Sequence, residues 1–293
     1  MVPFRLARGM AVTVFLVSAA RVTAADIVCP NANTTVAGDA GLNTVFRNLS
    51  RTHQILIAAS ELANLPNGTP ITGLTFRAQP AQASAFPPTG ITATFTDYTI
   101  EVATAATTPA TMSTTLAANV GPDAVVVRSG PHSIAPLAFS NANNPTAFGP
   151  TIPFTTYYVY TGGNLVITIR HSGNAQNVNS FMDCITPAGP GYGTLVRAMS
   201  GNSSDATVGT QAAATIVRLT HCDPVPCRGD VNGDLVRNGL DVQGFANAFI
   251  SCAAGGVPFC GTCYSSDVDG DGAINAADVT ALADFLLAGV PCQ

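Results

Sequence analysis

The sequence predicts a mainly β chain: an antiparallel, jelly-roll-like β-sandwich over residues 26–222, followed by a small all-α unit over residues 227–293. Three observations predict it. Apolar residues recur with period two in short runs between Pro- and Gly-containing polar stretches, and no long helical pattern interrupts them before residue 222. The composition, 47% apolar and 10% charged, can furnish a packed core and is not that of a disordered chain. Acidic residues crowd into the last segment, where the apolar spacing becomes helical.

At the N-terminus Arg5 and Arg8 precede the apolar run Met10 to Ala20, and Val22, Ala24 and Ala25 follow. This pattern predicts a secretory leader over residues 1–25, cleaved near Ala24 or Ala25, and hence an extracellular or cell-surface location. The run is about half the ~20 residues of a membrane-spanning helix, and no later segment is long and apolar enough to span a bilayer. Export favours pairing of the eight cysteines, Cys29, Cys184, Cys222, Cys227, Cys252, Cys260, Cys263 and Cys292. The C-x-x-C at Cys260 and Cys263 has no second C-x-x-C or His pair near it, so disulfide use is favoured over zinc or redox chemistry.

Within the β region Leu165, Ile167 and Ile169 alternate with Val166, Thr168 and Arg170, and Gly162-Gly163-Asn164 suits a hairpin turn from a strand over Thr155 to Tyr160. Similar runs occur at Ile91 to Phe95, Val125 to Arg128, Thr194 to Arg197 and Thr215 to Thr220. A linker is expected at residues 223–226, where Pro224 and Pro226 lack N–H donors and discourage continuation of a sheet.

From Cys227 onward eight Asp face two Arg, whereas the preceding mature region is nearly neutral. All twelve basic residues are Arg and none cluster, which argues against a nucleic-acid partner. The acidic segment is an internal repeat. Asp230, Asn232, Asp234, Val236, Asn238 and Asp241 recur 37 residues later as Asp267, Asp269, Asp271, Ala273, Asn275 and Asp278. Each set places oxygens at positions one, three, five, nine and twelve of a loop, while position seven, Val236 or Ala273, offers its backbone carbonyl. Calcium takes six to eight hard oxygen ligands, and a tightly wound loop of this spacing turns alternate side chains inward. Two calcium sites are therefore expected, with Asn238 and Asn275 acting through water and Asp241 and Asp278 closing the shell from a helix start. Val242, Phe245, Ala246 and Phe249, and likewise Val279, Leu282, Ala283 and Leu286, recur at helical spacing and predict two amphipathic helices that pack together.

Residues 227–293 resemble a dockerin, the duplicated loop-helix module that plugs secreted bacterial enzymes and binding proteins into cohesin domains. The resemblance rests on D-x-[ND]-x-D, Asn at position nine and Asp at position twelve, in both copies. It implies a calcium-dependent, cohesin-like extracellular protein partner, and two chain ends side by side with Cys227 bridged to Cys292. Two departures stand out. Loop one has Leu235 where the sharp turn wants Gly, whereas loop two has Gly272, so the second site is expected to be the stronger. The partner-facing positions before the final Asp, often hydroxyl residues in dockerins, are Gly239-Leu240 and Ala276-Ala277. Leu240, Ala276 and Ala277 are the residues expected to meet the partner.

The β region offers little catalytic chemistry. Its carboxylates include the only two Glu, Glu61 and Glu101, with Asp97, Asp123 and Asp183 as further candidates for the carboxylate pair of a glycosidase. His53, His132, His171 and His221 lack metal-ligand spacing, and there is no G-x-S-x-G. A Trp platform for sugar is absent from the sequence; Tyr157, Tyr158 and Tyr160 alternate along one strand, so at least one is expected in the core. Ile71 to Arg77 and Gly162 to Leu165 are similar to segments of secreted bacterial sandwich proteins. The expected function is a non-catalytic binding or structural protein carrying a calcium-dependent interaction module, with polysaccharide as a candidate ligand of the sandwich. The alternative is a polysaccharide-degrading enzyme or its accessory subunit.

Overall fold

A computed structural model describes residues 24–222, 227–232, 234, 236–252, 262–271 and 273–289. The expected leader, the linker at 223–226, Leu235, Gly272, Cys260 and Cys292 lie outside them, except that the first strand already begins at Ala24. The described strands are β1 (Ala24–Cys29), β2 (Ala40–Leu42), β3 (Arg51–Ile57), β4 (Thr69–Thr75), β5 (Ala93–Phe95), β6 (Tyr98–Thr104), β7 (Val125–Arg128), β8 (His132–Ile134), β9 (Ile152–Tyr160), β10 (Leu165–His171), β11 (Met182–Ile185), β12 (Val196–Gly201), β13 (Thr210–Ala212), β14 (Ala214–Thr215) and β15 (Val217–Cys222). Three helices follow: α1 (Asp241–Cys252), α2 (Thr262–Ser266) and α3 (Ala276–Ala288). The chain is thus mostly β, with several antiparallel sheets and few helices, and none of the described helices is long and apolar enough to cross a membrane.

A four-stranded sheet runs β1-β15-β4-β9 and a six-stranded sheet β13-β12-β3-β10-β6-β7. Ile27, Ile71, Leu74 and Leu219 from the first meet Ile55, Ile57, Ile100, Ile167 and Ile169 from the second in one core. Aromatic rings fill its end, where Phe46 packs on Phe76, Phe86, Tyr98 and Phe139 at centroid distances of 5.1–6.1 Å. On one side the Thr155 hydroxyl of β9 donates to the Val127 carbonyl of β7 at 3.1 Å, tying the two sheets together.

The strand at residues 155–160 does not form a hairpin with Leu165–Ile169. β9 pairs with β4, whereas β10 lies between β3 and β6 in the other sheet. Gly162 and Gly163, at φ 97° and 82°, carry the chain across from one sheet to the other. β10 is buried along nearly its whole length, and a loop with Met112 and Leu116 packs with Leu56 and Met199 into a small cluster beside the main core. Of the three tyrosines of β9, Tyr158 and Tyr160 are buried and Tyr157 points outward, half-buried. The run expected at Ile91 to Phe95 is a strand only from Ala93, and the one expected at Thr194 begins at Val196.

In the last segment the helical stripes are shifted from the expected set. Phe245, Ala248 and Cys252 are the buried residues of α1 besides Asp241, and Leu282 that of α3 besides Asp278, while Val242, Ala246, Val279 and Ala283 are exposed. Val231, Phe245, Val268 and Leu282 form one cluster, two equivalent pairs from the repeat. Burial of Val231 and Val268 from the loops, rather than of both helix flanks, leaves the outer flanks to solvent. Cys252 is bonded to Cys263 across a Cα–Cα distance of 5.9 Å. Cys222 and Cys227 are also disulfide-bonded; the expected Cys227–Cys292 bridge lies outside the described residues. Cys29 and Cys184 are buried free thiols.

Candidate metal centre

The two acidic loops fold by the same local rules. In loop one Asp241 Oδ1 accepts from the Val231 and Asn232 amides at 2.8 and 3.1 Å, and Oδ2 from Asn238 at 2.8 Å. In loop two Asp278 does the same for Val268, Asp269 and Asn275, at 2.6, 3.3 and 2.8 Å. Side chains then turn the backbone two residues on: Asn232 accepts from Asp234 N, Asp234 from Val236 N, and Asn238 from Leu240 N at 2.7–2.9 Å. Asp269, Asp271 and Asn275 repeat this on Asp271 N, Ala273 N and Ala277 N at 2.8–3.1 Å. Such short-range side-chain-to-backbone bonds are what Asp and Asn offer at turns and helix starts. Asn275 and Asp278 form a capping box on α3.

These bonds place the ligand candidates. The first-position residues Asp230 and Asp267 are buried, 1% and 3% exposed, and the twelfth-position residues Asp241 and Asp278 are fully buried. Asp234, Val236, Asp269, Asp271 and Ala273 face solvent, with Asn232, Asn238 and Asn275 half-buried. In loop two, ligand oxygens of Asp267, Asp269 and Asp271 all lie within 4.8 Å of one another, a set of hard, anionic donors suited to calcium. Loop two has a carboxylate at position three where loop one has the Asn232 amide, so its charge is the greater. The twelfth-position carboxylates are busy: with one oxygen taking two amides and the other one, each keeps a single lone-pair direction on Oδ2 for a cation.

No protein-family model, curated protein or solved structure matches this chain. The geometry of the loops and their surroundings therefore carries the functional argument.

Those surroundings include contacts absent from the sequence reading. Asp267 Oδ2 accepts from the Tyr157 hydroxyl of β9 at 3.1 Å and pairs with Arg228 Nη1 at 3.0 Å. Arg228 also donates to the Asp267 carbonyl at 2.7 Å and lies over the Tyr264 ring, 5.0 Å from its centroid. Tyr264, on α2, packs edge-on against Tyr157 at 6.1 Å and donates to the Gly68 carbonyl at 3.3 Å. Partial burial and then the Asp267 charge push the Tyr157 hydroxyl up to about 12, so it stays a proton donor. Burial works against the Arg228 charge, but Tyr264 and Asp267 hold its guanidinium above the ordinary value. A Tyr facing outward from an otherwise buried Tyr pair, and an Arg two residues before the first loop, were the available signals.

Among the β-region carboxylates, Asp183 is paired with Arg77, Asp123 accepts from Thr104 and from the Tyr158 hydroxyl, and Glu61 accepts from the Asn31 amide. Glu101 lines a cleft, about 370 Å³, on the outer face of the six-stranded sheet beside Gln54, Thr168, Arg170 and Thr207. Among these lining residues it is the one carboxylate, whereas glycosidic hydrolysis needs two.

Proposed function

We propose that this chain is a secreted, non-catalytic binding protein whose last segment is a dockerin-like, calcium-dependent interaction module, carried by a jelly-roll-like sandwich. The observation that carries the reading is the register-for-register repetition of the loop hydrogen bonds, 37 residues apart, with three carboxylates converging in loop two. Asp230, Asn232, Asp234, Val236, Asn238 and Asp241 would hold one calcium, and Asp267, Asp269, Asp271, Ala273, Asn275 and Asp278 the other. Bound calcium neutralises carboxylates that otherwise repel one another, and so orders loop and helix together. Leu240, 70% exposed, and the exposed Ala276 and Ala277 would form an apolar surface at the two helix starts for a cohesin-like partner.

Titration of the full chain with calcium by isothermal calorimetry tests the reading. Two sites are expected, the tighter lost in Asp267→Ala and the weaker in Asp230→Ala; absence of calcium-dependent heat sinks it.

A second reading concerns the sandwich. The cleft at Glu101 and Arg170 presents acceptor and donor groups together, which suits sugar hydroxyls, and its single carboxylate favours retention over hydrolysis. Retention on polysaccharides that is lost in Glu101→Ala, without release of reducing sugar, supports it; release of reducing sugar points to the degrading-enzyme alternative.

A further inference from the structure

Asp267 is claimed from two directions. As the first residue of loop two it turns one oxygen, Oδ1, to the Gly270 amide at 3.0 Å inside the loop. Its other oxygen, Oδ2, faces away and accepts from Arg228 and from Tyr157. Arg228 belongs to the same segment, two residues before loop one, and ties the two halves of the repeat together. Its guanidinium fills the space beside Gly270, where an added Cβ would lie 2.8 Å from Nη1. Tyr157 is different, because it comes from the β region, 110 residues earlier in the chain.

It also stands at a particular place there. β9 is the last strand of the four-stranded sheet, with β4 on one side only. The Tyr157 side chain therefore leaves the sheet at its margin and meets α2 and loop two, where Tyr264 adds the ring contact and the bond to Gly68. Contacts between the regions converge on α2, on the first residue of loop two and on Arg228, whose guanidinium also bonds to the Tyr157 hydroxyl.

A carboxylate that binds a cation through one oxygen is oriented by donors on the other, and such outer-shell donors commonly change metal affinity tenfold to a hundredfold. We infer that Tyr157 is a positioning residue for the second calcium loop, so that calcium uptake by this loop and docking of the C-terminal segment on the β region strengthen one another. The inference rests on the calcium reading above. Thermodynamic linkage makes it reciprocal: whatever factor docking contributes to calcium affinity, calcium contributes to docking. Loop two is thereby a calcium-set clasp on the edge of the sandwich, while the helix starts with Leu240, Ala276 and Ala277 remain exposed for a separate partner.

The test uses the full chain with Asp234→Ala as the parent, which weakens loop one at an exposed position. Calorimetric titration with calcium is compared between this parent and the same chain carrying Tyr157→Phe, which keeps the ring on Tyr264 and removes only the hydroxyl. The expected result is a loop-two dissociation constant raised about tenfold. Tyr158→Phe alters the next residue of the same strand, whose hydroxyl serves Asp123 and Thr104; it perturbs the β region without touching Asp267 and is expected to leave the constant unchanged. Amide hydrogen exchange over α2 provides the reciprocal readout: calcium slows it in the parent and does so less in Tyr157→Phe. A dissociation constant in Tyr157→Phe within twofold of the parent, or tighter, overturns the inference alone. A parent that takes up no calcium overturns the calcium reading and the inference with it.

Discussion

Arg77 and Asp183 meet at 2.8 Å with side chains 1% and 0% exposed, and the pair is bonded onward to Val36 O and Gly38 N. Burial raises the Asp183 carboxyl's proton affinity, and the Gly38 amide and Arg77 work against it. Such a pair is costly to break from one side, because the remaining charge is left without water or partner. Asp183→Ala is expected to destabilise the chain by about 3–5 kcal/mol in urea unfolding; a loss below about 1 kcal/mol would show that Arg77 finds another partner. Three histidines are held below the ordinary value, His132 at about 4 by burial and the nearby Arg128, and His53 and His171 most clearly. His171 Nε2 donates to Thr44 O at 2.7 Å while Nδ1 accepts from Gly173 N at 3.1 Å, a pattern that requires the neutral ring. Burial holds His171 at about 4, and burial together with the His171 charge holds His53 at about 3. Both lie below the unfolded value of about 6.5, so between these limits the unfolded chain binds protons that the folded chain does not. Stability is therefore full above pH ~6.5 and falls as pH drops, on the order of 1 kcal/mol per pH unit for each ring. Urea unfolding at pH 7.0, 5.5 and 4.5 checks this, and a flat profile would falsify it.

Each loop-helix unit is organised by one carboxylate. Asp278 holds three loop amides and opens α3, so its loss removes a cap and the lock on the loop at once. Asp278→Ala is expected to raise amide exchange across Ala276–Ala288 at least tenfold even under chelator, whereas Asp284→Ala, on the exposed face of the same helix, leaves it unchanged. Equal exchange in the two variants would mean that packing through Leu282 alone holds the helix. Among the strands, the equivalent decision lies in Gly162 and Gly163. Their positive φ values let β9 and β10 enter different sheets, and the local pattern, two strands and a Gly-Gly turn, reads the same for a hairpin.

For the whole molecule, the placement of the last segment separates two surfaces. Tyr264 and Asp267 face the β region, while Leu240, Ala276 and Ala277 face solvent. If the proposed calcium-dependent partner is recognised at the helix starts, its binding should be lost without loss of calcium uptake. Leu240→Arg and Ala276→Arg are expected to abolish calcium-dependent retention of the partner while calorimetric calcium uptake stays within twofold of wild type. Retention that survives both substitutions places the interface elsewhere on the module, where Val236, Val242, Ile250, Val279 and Leu287 are further exposed apolar positions.

The sequence by itself determined what depends on neighbours within a few residues. The mainly β character follows from period-two runs such as Leu165 to Ile169, and the loop pattern follows from Asp and Asn at fixed offsets, because side-chain-to-backbone bonds reach only two to ten positions along the chain. Tertiary structure decided what depends on distance. It set β10 between β3 and β6 and placed β9 beside β4 in the other sheet, because pairing between strands far apart in the chain is settled only when the sheets assemble. It turned the helix stripes toward Val231 and Val268, because the two halves of the repeat pack on each other. It brought Tyr157 to Asp267, a contact between residues 110 positions apart to which local spacing is blind, since which outward side chain of an edge strand meets which loop is settled only when the surfaces are packed together.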